Sequence, residues 1–473
     1  MSTQLYTTLK GHLGFEPTDD QKIVLELLSD FVLTPEPNAL FLLKGYAGTG
    51  KTSIICSLVN TFEEIGCEYV LLAPTGKAAK VMTNYTNKVA YTIHKKIYYS
   101  DVNDTGQYHN KKQKNKHTKT FFIVDEASMI ANEAEGFNEF ASPQSLLDDL
   151  IEYVYNQDDC KLILIGDTAQ LPPVGLAISP ALDAQYLQSA HFHQVTSYEM
   201  TQVVRQDKQS DILRQATLLR QKIQNENFSF PYFELPSKQK EVKRIEGSDI
   251  QDYLESAYSN YGKQETIIIC RSNKNANLYN AQIRVRVWDL EDILSGGDML
   301  TVVKNNYFYS SEEIELIANG EMLQLKRVRN IQQIYGHEFA DATICLIDHP
   351  QELELTVKLL LSTIMAPTPN LSFVQQQELY QHIAHDYLPG CISKRDLKQK
   401  MDKDAYYHAL QIKYGYALTC HKAQGGQWDC VFIDLGFFTE EMLTIEFIRW
   451  LYTAITRAKK QVYLINFPDA FFE

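Results

Sequence analysis

No Cys-x-x-Cys pair occurs in this chain. Its 8 cysteines, Cys56, Cys67, Cys160, Cys270, Cys345, Cys391, Cys420 and Cys430, are scattered, so zinc and iron–sulfur spacings are excluded and reduced, mostly buried thiols are expected. No apolar run approaches the roughly 18 residues needed to cross a bilayer, which excludes a membrane-spanning helix. Residues 1–15 carry neither a basic leader nor an apolar core, so no export signal is expected and a cytoplasmic location follows, nucleoid-associated in a bacterial cell. No self-similarity appears at the ~20–50-residue periods of solenoids. Positive charge is also in deficit, with 45 Lys+Arg against 59 Asp+Glu and a net charge of -14. Taken globally, that balance gives no sign of a nucleic-acid partner.

The local picture differs. His109 to Thr120 carries Lys111, Lys112, Lys114, Lys116 and Lys119 with no acid among them. It reads either as a solvated loop or as part of a locally positive groove on an acidic protein. With 473 residues, 44% hydrophobic and 22% charged, the chain has ordinary globular composition and room for about three folding units.

The strongest pattern is Gly45-Tyr46-Ala47-Gly48-Thr49-Gly50-Lys51-Thr52-Ser53, between an apolar strand at 40–43 and a helical run from Ile54 to Phe62. This is a P-loop in its strand-to-helix context. Gly45, Gly48 and Gly50 let successive N–H groups turn inward on phosphate oxygens at a helix N-terminus. Lys51 would reach the β- and γ-phosphates, and the Thr52 hydroxyl would help hold Mg²⁺. ATP and Mg²⁺ are therefore the expected cofactors.

Other stretches repeat the theme of polar residues at a strand end. Phe121 to Val124 delivers Asp125 and Glu126; Asp125 would hold Mg²⁺ and Glu126 would orient the attacking water. A strand at 160–166 leads into Asp167-Thr168-Ala169-Gln170-Leu171-Pro172-Pro173, where the two prolines would fix Gln170 beside a phosphate. Tyr69 to Ala73 runs into Pro74-Thr75-Gly76-Lys77, and Thr92-Ile93-His94-Lys95 follows as a polar loop. Thr18-Asp19-Asp20-Gln21 is a capping box, and Gln21 reads equally as a cap residue or as a reader of an adenine edge. Arg205 reads as a surface ion pair or as a finger reaching a nucleotide.

Strand, loop and helix recur at Thr266–Cys270 with Asn273, Asn280 and Arg284 after it, implying a second α/β domain. From Ser295 composition turns β-rich, with stretches at 299–303, 321–328 and 342–347, then helical over 370–408. The α/β pattern resumes at Thr419-Cys420-His421-Lys422 and at Tyr452-Thr453-Ala454-Ile455-Thr456-Arg457.

In this order the motifs resemble a superfamily 1 DNA helicase of the RecD-like and Dda-like branch, which moves 5′-to-3′ on single-stranded DNA. The resemblance covers most of the chain, from Phe15 to about Ile465. It implies two RecA-like P-loop domains, a hairpin inserted in the first and a small β-barrel in the second. The expected limits are 1–95 with 119–195, a pin at 96–118, 196–295 with 406–473, and a barrel plus helices at 296–405. Roles implied by the resemblance are adenine contact for Gln21, γ-phosphate sensing for Gln170, fingers for Arg205 and Arg457, and a nucleotide contact for Gln427. Pro74, Thr75, Thr92, His94, Asn273, Thr419, His421 and Lys422 would line the DNA track. Single-stranded and forked duplex DNA are the implied partners, with recombination or replication proteins beside them, no membrane, and a monomeric motor. The late motif departs from the family's Ser-Gln-Gly-Ser-Glu, reading Ala423-Gln424-Gly425-Gly426-Gln427 here. Two other readings stay open, a translocase that strips proteins without unwinding and the motor subunit of a recombination or nuclease complex.

Overall fold

Apolar runs bounded by turn residues become the strands of two parallel sheets. The computed structural model describes residues 2–102, 108–131, 145–190, 194–204, 210–227, 229–233, 235, 241–309, 317–347, 353–390 and 393–472. It divides into two units. One comprises Met1–Asp101, His109–Pro231 and Glu441–Thr456, and the other Val102–Tyr108, Tyr232–Glu440 and Arg457–Glu473.

In the first unit, β1 (Ala39–Gly45), β2 (Glu68–Ala73) and β3 (Ala90–Thr92) precede a separate two-stranded ribbon, β4 (Tyr98–Val102) with β5 (Tyr108–Lys112). Then come β6 (Thr120–Val124), β7 (Lys161–Gly166) and β8 (Gln194–Met200). The sheet runs β3-β2-β6-β7-β1-β8 and every pairing is parallel. Its central strands are buried along their length, as expected of a sheet covered on both faces. The Leu40–Leu43 and Phe121–Val124 runs read from sequence are among them.

The first sheet takes more chain than the sequence assigns to it. The expected boundary at 196 falls inside β8, which pairs along β1 from Ala39↔Gln194 to Gly45↔Met200. As a half-exposed edge strand with polar residues throughout, Gln-Val-Thr-Ser-Tyr-Glu-Met lacks the apolar run that marks the others. The helix Ile445–Ile455, expected within the second domain, also belongs to the first unit. Its buried face of Phe447, Ile448, Leu451, Tyr452 and Ile455 explains why it packs there against the helix Asp211–Gln224.

In the second unit, β9 (Val242–Ile245) and β10 (Thr266–Cys270) precede the barrel strands β11 (Met299–Val302), β12 (Met322–Ile334), β13 (His337–Leu346), β14 (Glu354–Leu360) and β15 (Leu410–Tyr414). After them, β16 (Ala417–Thr419), β17 (Trp428–Asp434) and β18 (Ala458–Ile465) complete a parallel sheet ordered β16-β10-β17-β18-β9. The barrel closes through β15, which pairs with both β11 and β14. The expected insertion at 296–405 therefore stops short of its last strand. The helices Phe373–Tyr387 and Lys394–Met401 fall in the stretch read as helical. No helix among the described residues is long and apolar enough to cross a membrane.

Barrel and sheet meet at a buried ion pair. Asp298 is wholly inaccessible and accepts from Arg284 Nε and NH2 at 2.8 and 3.0 Å, from the Ser295 N–H at 2.8 Å and from the Tyr416 hydroxyl at 3.0 Å. Removing one partner strands a buried charge, which costs about 3–5 kcal/mol. Asp298→Ala is thus expected to lower the urea midpoint by that much stability, followed by far-UV circular dichroism.

Candidate nucleotide-binding site

The turn after β1 needs glycine for two separate reasons. Gly48 and Gly50 have φ of +76° and +92°, a region that costs other residues about 1 kcal/mol or more. A Cβ on Gly50 would also stand 2.3 Å from Gln21 Nε2, and one on Gly45 2.9 Å from Thr49 Oγ1. Gly50 then caps the helix Lys51–Ile65, so the loop's N–H groups gather at a helix N-terminus. Thr49 is buried and donates to the Tyr46 carbonyl at 2.8 Å. Thr52 is exposed and Ser53 half-buried on the first turn. The Lys51 ammonium folds over the loop, donating to the carbonyls of Gly45 at 2.6 Å and Tyr46 at 3.1 Å.

Of its two readings, Gln21 takes the capping one here. It is fully buried; its Oε1 accepts from the Thr18 N–H at 3.0 Å and its Nε2 donates to the Thr49 carbonyl at 3.1 Å. The carboxamide thus ties the cap of the helix Asp19–Leu33 to the P-loop backbone.

Strand order places β6, β7 and β1 side by side, so their C-terminal ends deliver polar residues to one edge. Asp125 Oδ2 accepts from the Tyr85 hydroxyl at 2.8 Å and Oδ1 from the Glu126 N–H at 2.8 Å. Glu126 itself sits at φ +53°, a left-handed conformation at the strand end. Asp167 is buried and accepts from the Tyr452 hydroxyl at 2.7 Å and the Ala169 N–H at 2.9 Å, with Lys51 Nζ 4.0 Å away. Burial raises both carboxyls above the usual carboxylate range, and the nearby Lys51 charge and these hydrogen bonds only partly oppose it. Gln170 is buried with its Oε1 unpartnered. Together with Ser128 Oγ and Arg449 Nε, also unpartnered, it lines a small pocket that includes Thr168, Pro172 and Ser179.

A hydroxyl and a carboxylate supply the hard oxygen donors that Mg²⁺ prefers. A carboxyl whose proton affinity is raised by burial has most to gain from a cation, so Thr52 and Asp125 fit that ion. Asp167, Tyr85 and Tyr452 had no role in the sequence reading. Asp167 follows its strand as Asp125 follows its own, a signal that was available. Tyr452 lies 405 residues from the P-loop residue that it contacts, and nothing in the sequence pointed to that contact.

The remaining expected residues lie at other strand ends. Thr75 and Thr92 follow or end the paired strands β2 and β3, and their hydroxyls accept from the N–H groups of Ala78 and Lys95 as helix caps at 3.2 Å each. Pro74 and His94 adjoin them, His94 within 5.7 Å of the Tyr98 ring. Thr92 to Lys95, expected as a loop, enters the short helix Ile93–Ile97. In the second unit, Cys270↔Thr419 is a register pair of β10 and β16, so Asn273 and Thr419, His421 and Lys422 follow adjacent strand ends. His421 is exposed and Lys422 half-buried. Arg457 is buried and donates to the Gly426 carbonyl at 3.3 Å, while Gln427 beside it is exposed. Arg205 lies outside the described residues, as does part of the 96–118 stretch.

A family model for an AAA domain matches residues 30–230, and one for a UvrD-like helicase C-terminal domain matches residues 414–465. The ATP-dependent RecD2 DNA helicase of Deinococcus radiodurans is 24% identical over 94% of this chain. These matches make the chain similar to the superfamily 1 helicases of the RecD-like and Dda-like branch. The chain spans about half of the RecD2 relative, 48% of its length. An uncharacterised protein of Acanthamoeba polyphaga mimivirus, R530, is 22% identical over 93% of this chain and 98% of its own length. Among solved structures, a Pif1 helicase studied at forked duplex DNA aligns over 97% of this chain and 94% of its own, with 15% identity and a TM-score of 0.50. The shared fold is that of two RecA-like domains with a barrel insertion.

The raised carboxyl of Asp125 bears on the stability of the fold. A carboxyl that binds its proton more tightly when folded destabilises the fold once pH exceeds the unfolded value near 4, and contributes nothing below it. Asp125→Asn is therefore expected to raise the unfolding temperature at pH 7.5 by about 2–4 °C for each ~1 kcal/mol recovered, with the gain vanishing towards pH 4, while ATP hydrolysis is lost. Thermal scans across that pH range and an ATPase assay check both halves.

Proposed function

We propose that this chain moves 5′-to-3′ along single-stranded DNA and separates duplex ahead of it, driven by hydrolysis of Mg-ATP. The observation that carries the reading is the convergence of Lys51, Asp125, Glu126, Asp167 and Gln170 at one edge of the first sheet. Such a set can only serve phosphoryl chemistry if charge is matched step by step.

In this reading the P-loop N–H groups and Lys51 hold the β- and γ-phosphates. Thr52 and Asp125 would hold Mg²⁺, which would supply neutralisation of the developing phosphate charge. Glu126 orients the attacking water and accepts its proton, and the Gln170 amide senses the γ-phosphate. Gln21 supports the adenine end while bracing Thr49, and Gln427 is assigned a nucleotide contact. Arg205 and Arg457 act as fingers, a role worth about 10³–10⁵ in rate in other P-loop enzymes. Pro74, Thr75, Thr92, His94, Asn273, Thr419, His421 and Lys422 grip the strand, and the 96–118 hairpin acts as the pin. Grip through phosphates and stacked bases is sequence-tolerant and weakens with salt.

Lys51→Ala is expected to abolish DNA-stimulated ATP hydrolysis and leave single-strand binding within about threefold, because the lysine's contribution is to the transferred phosphate. A coupled ATPase assay beside a fluorescence-anisotropy titration tests this; retained turnover removes the assigned role. Arg457→Ala is expected to keep the KM for ATP and lower kcat by about 10²-fold or more, and an unchanged kcat ends the finger assignment. Forks with only a 5′ or only a 3′ tail test the direction. Release of the complementary strand distinguishes unwinding from translocation alone.

A further inference from the structure

Tyr452 is 1% exposed on the helix Ile445–Ile455. Its hydroxyl stands 2.8 Å from the Ala47 N and 2.7 Å from Asp167 Oδ2. A backbone N–H can only donate, so the phenol oxygen accepts from Ala47 and its single proton goes to Asp167. Burial pushes the phenol well above its usual range, so it remains a protonated donor. Asp167 in turn lies 4.0 Å from the Lys51 ammonium. The chain of contacts runs from a P-loop N–H through one hydroxyl and one carboxylate to the P-loop lysine.

Neighbours on the same helix face join the same loops. Thr453 Oγ1 accepts from the Leu171 N–H at 2.8 Å, directly after Gln170, and Arg449 donates to the Ala177 carbonyl. Residues spaced by three and four lie on one helix face, so this face is fitted to the loops after β1 and β7. Two residues beyond the helix comes Arg457, where the chain passes into the second unit.

We propose that Tyr452 is a positioning residue that links phosphate occupancy of the P-loop to the setting of the helix leading into Arg457, through its hydroxyl's joint bonds to Ala47 and Asp167. A phosphate at the loop draws the N–H groups and the Lys51 ammonium towards itself. Both ends of the Tyr452 chain then change together. Hydrogen bonds in series polarise one another, so the hydroxyl conveys the change to a rigid helix rather than dissipating it. The inference rests on the P-loop binding ATP.

Tyr452→Phe keeps the ring and removes the link. With saturating single-stranded DNA, kcat is expected to fall at least about fivefold while the KM for ATP moves less than about threefold, the split that marks an interaction made in the transition state. Ile448→Val, which trims a buried methyl from the same helix at a cost of about 0.5–1.5 kcal/mol, is expected to lower the unfolding temperature and leave kcat within about twofold. A smaller fall for Tyr452→Phe, a KM that rises in step with the loss, or an equal loss in Ile448→Val overturns the proposal. Should Tyr452→Phe fail to fold, 3-fluorotyrosine at this position keeps both bonds but makes the hydroxyl a stronger donor and weaker acceptor. An altered kcat at unchanged unfolding temperature is then expected, and an unaltered kcat overturns the proposal. A wild-type protein without DNA-stimulated hydrolysis overturns the ATP reading as well, whereas an active wild type matched by Tyr452→Phe overturns only the link.

Discussion

One ammonium serves two carboxylates at the edge of the first sheet, and much of the site follows from that imbalance. The charge of Lys51 acts on both Asp125 and Asp167, yet burial still raises both carboxyls. Each is also given a tyrosine hydroxyl and a backbone N–H, Tyr85 and Glu126 for one, Tyr452 and Ala169 for the other. Burial and the adjacent carboxylates raise both phenols, which keeps them as donors. Neutral dipoles soften a buried anion but do not neutralise it. A polyphosphate placed beside these carboxylates makes the deficit worse, so in the proposed reading a divalent ion and later arginines are electrostatic necessities.

What was legible in the sequence were the elements whose chemistry is local. The P-loop, the strand ending in Asp125 and Glu126, and the loop carrying Gln170 each declare themselves within about ten residues, because glycine, apolar runs and terminal acids are short-range signals. Elements fixed by distant partners were not legible. β8 is polar and half-exposed, and becomes a strand because β1 offers it a free edge. β15 lies beyond the expected insertion, since barrel closure is decided by where β11 and β14 leave unpaired backbone. Tyr452 acquires its contacts only when a helix near the C-terminus docks on loops from the first half of the chain.

Several residues show that a structural reading and a functional one need not compete. Gln21 caps a helix and braces Thr49 with the same carboxamide. The hydroxyls of Thr75 and Thr92 cap their helices, which fixes the rotamers of residues at the strand ends where a DNA track is proposed. A side chain held by a backbone N–H keeps its geometry without a ligand, and such preorganisation lowers the entropic cost of binding one.

The late loop makes the same point in the second unit. The family's usual hydroxyl and carboxylate are replaced by Gly426 and Gln427, which on sequence grounds questions how the loop could communicate with the nucleotide. The carbonyl of Gly426, however, accepts from Arg457, and the arginine's own carbonyl accepts from the Trp428 N–H at 2.9 Å. A backbone acceptor is indifferent to the side chain of the residue that supplies it. Gly425 turns the chain at φ +72° just before that carbonyl, a conformation that glycine adopts at little cost. These two backbone contacts to Arg457 therefore do not depend on the side chains at positions 426 and 427, where the chain departs from the family's pattern.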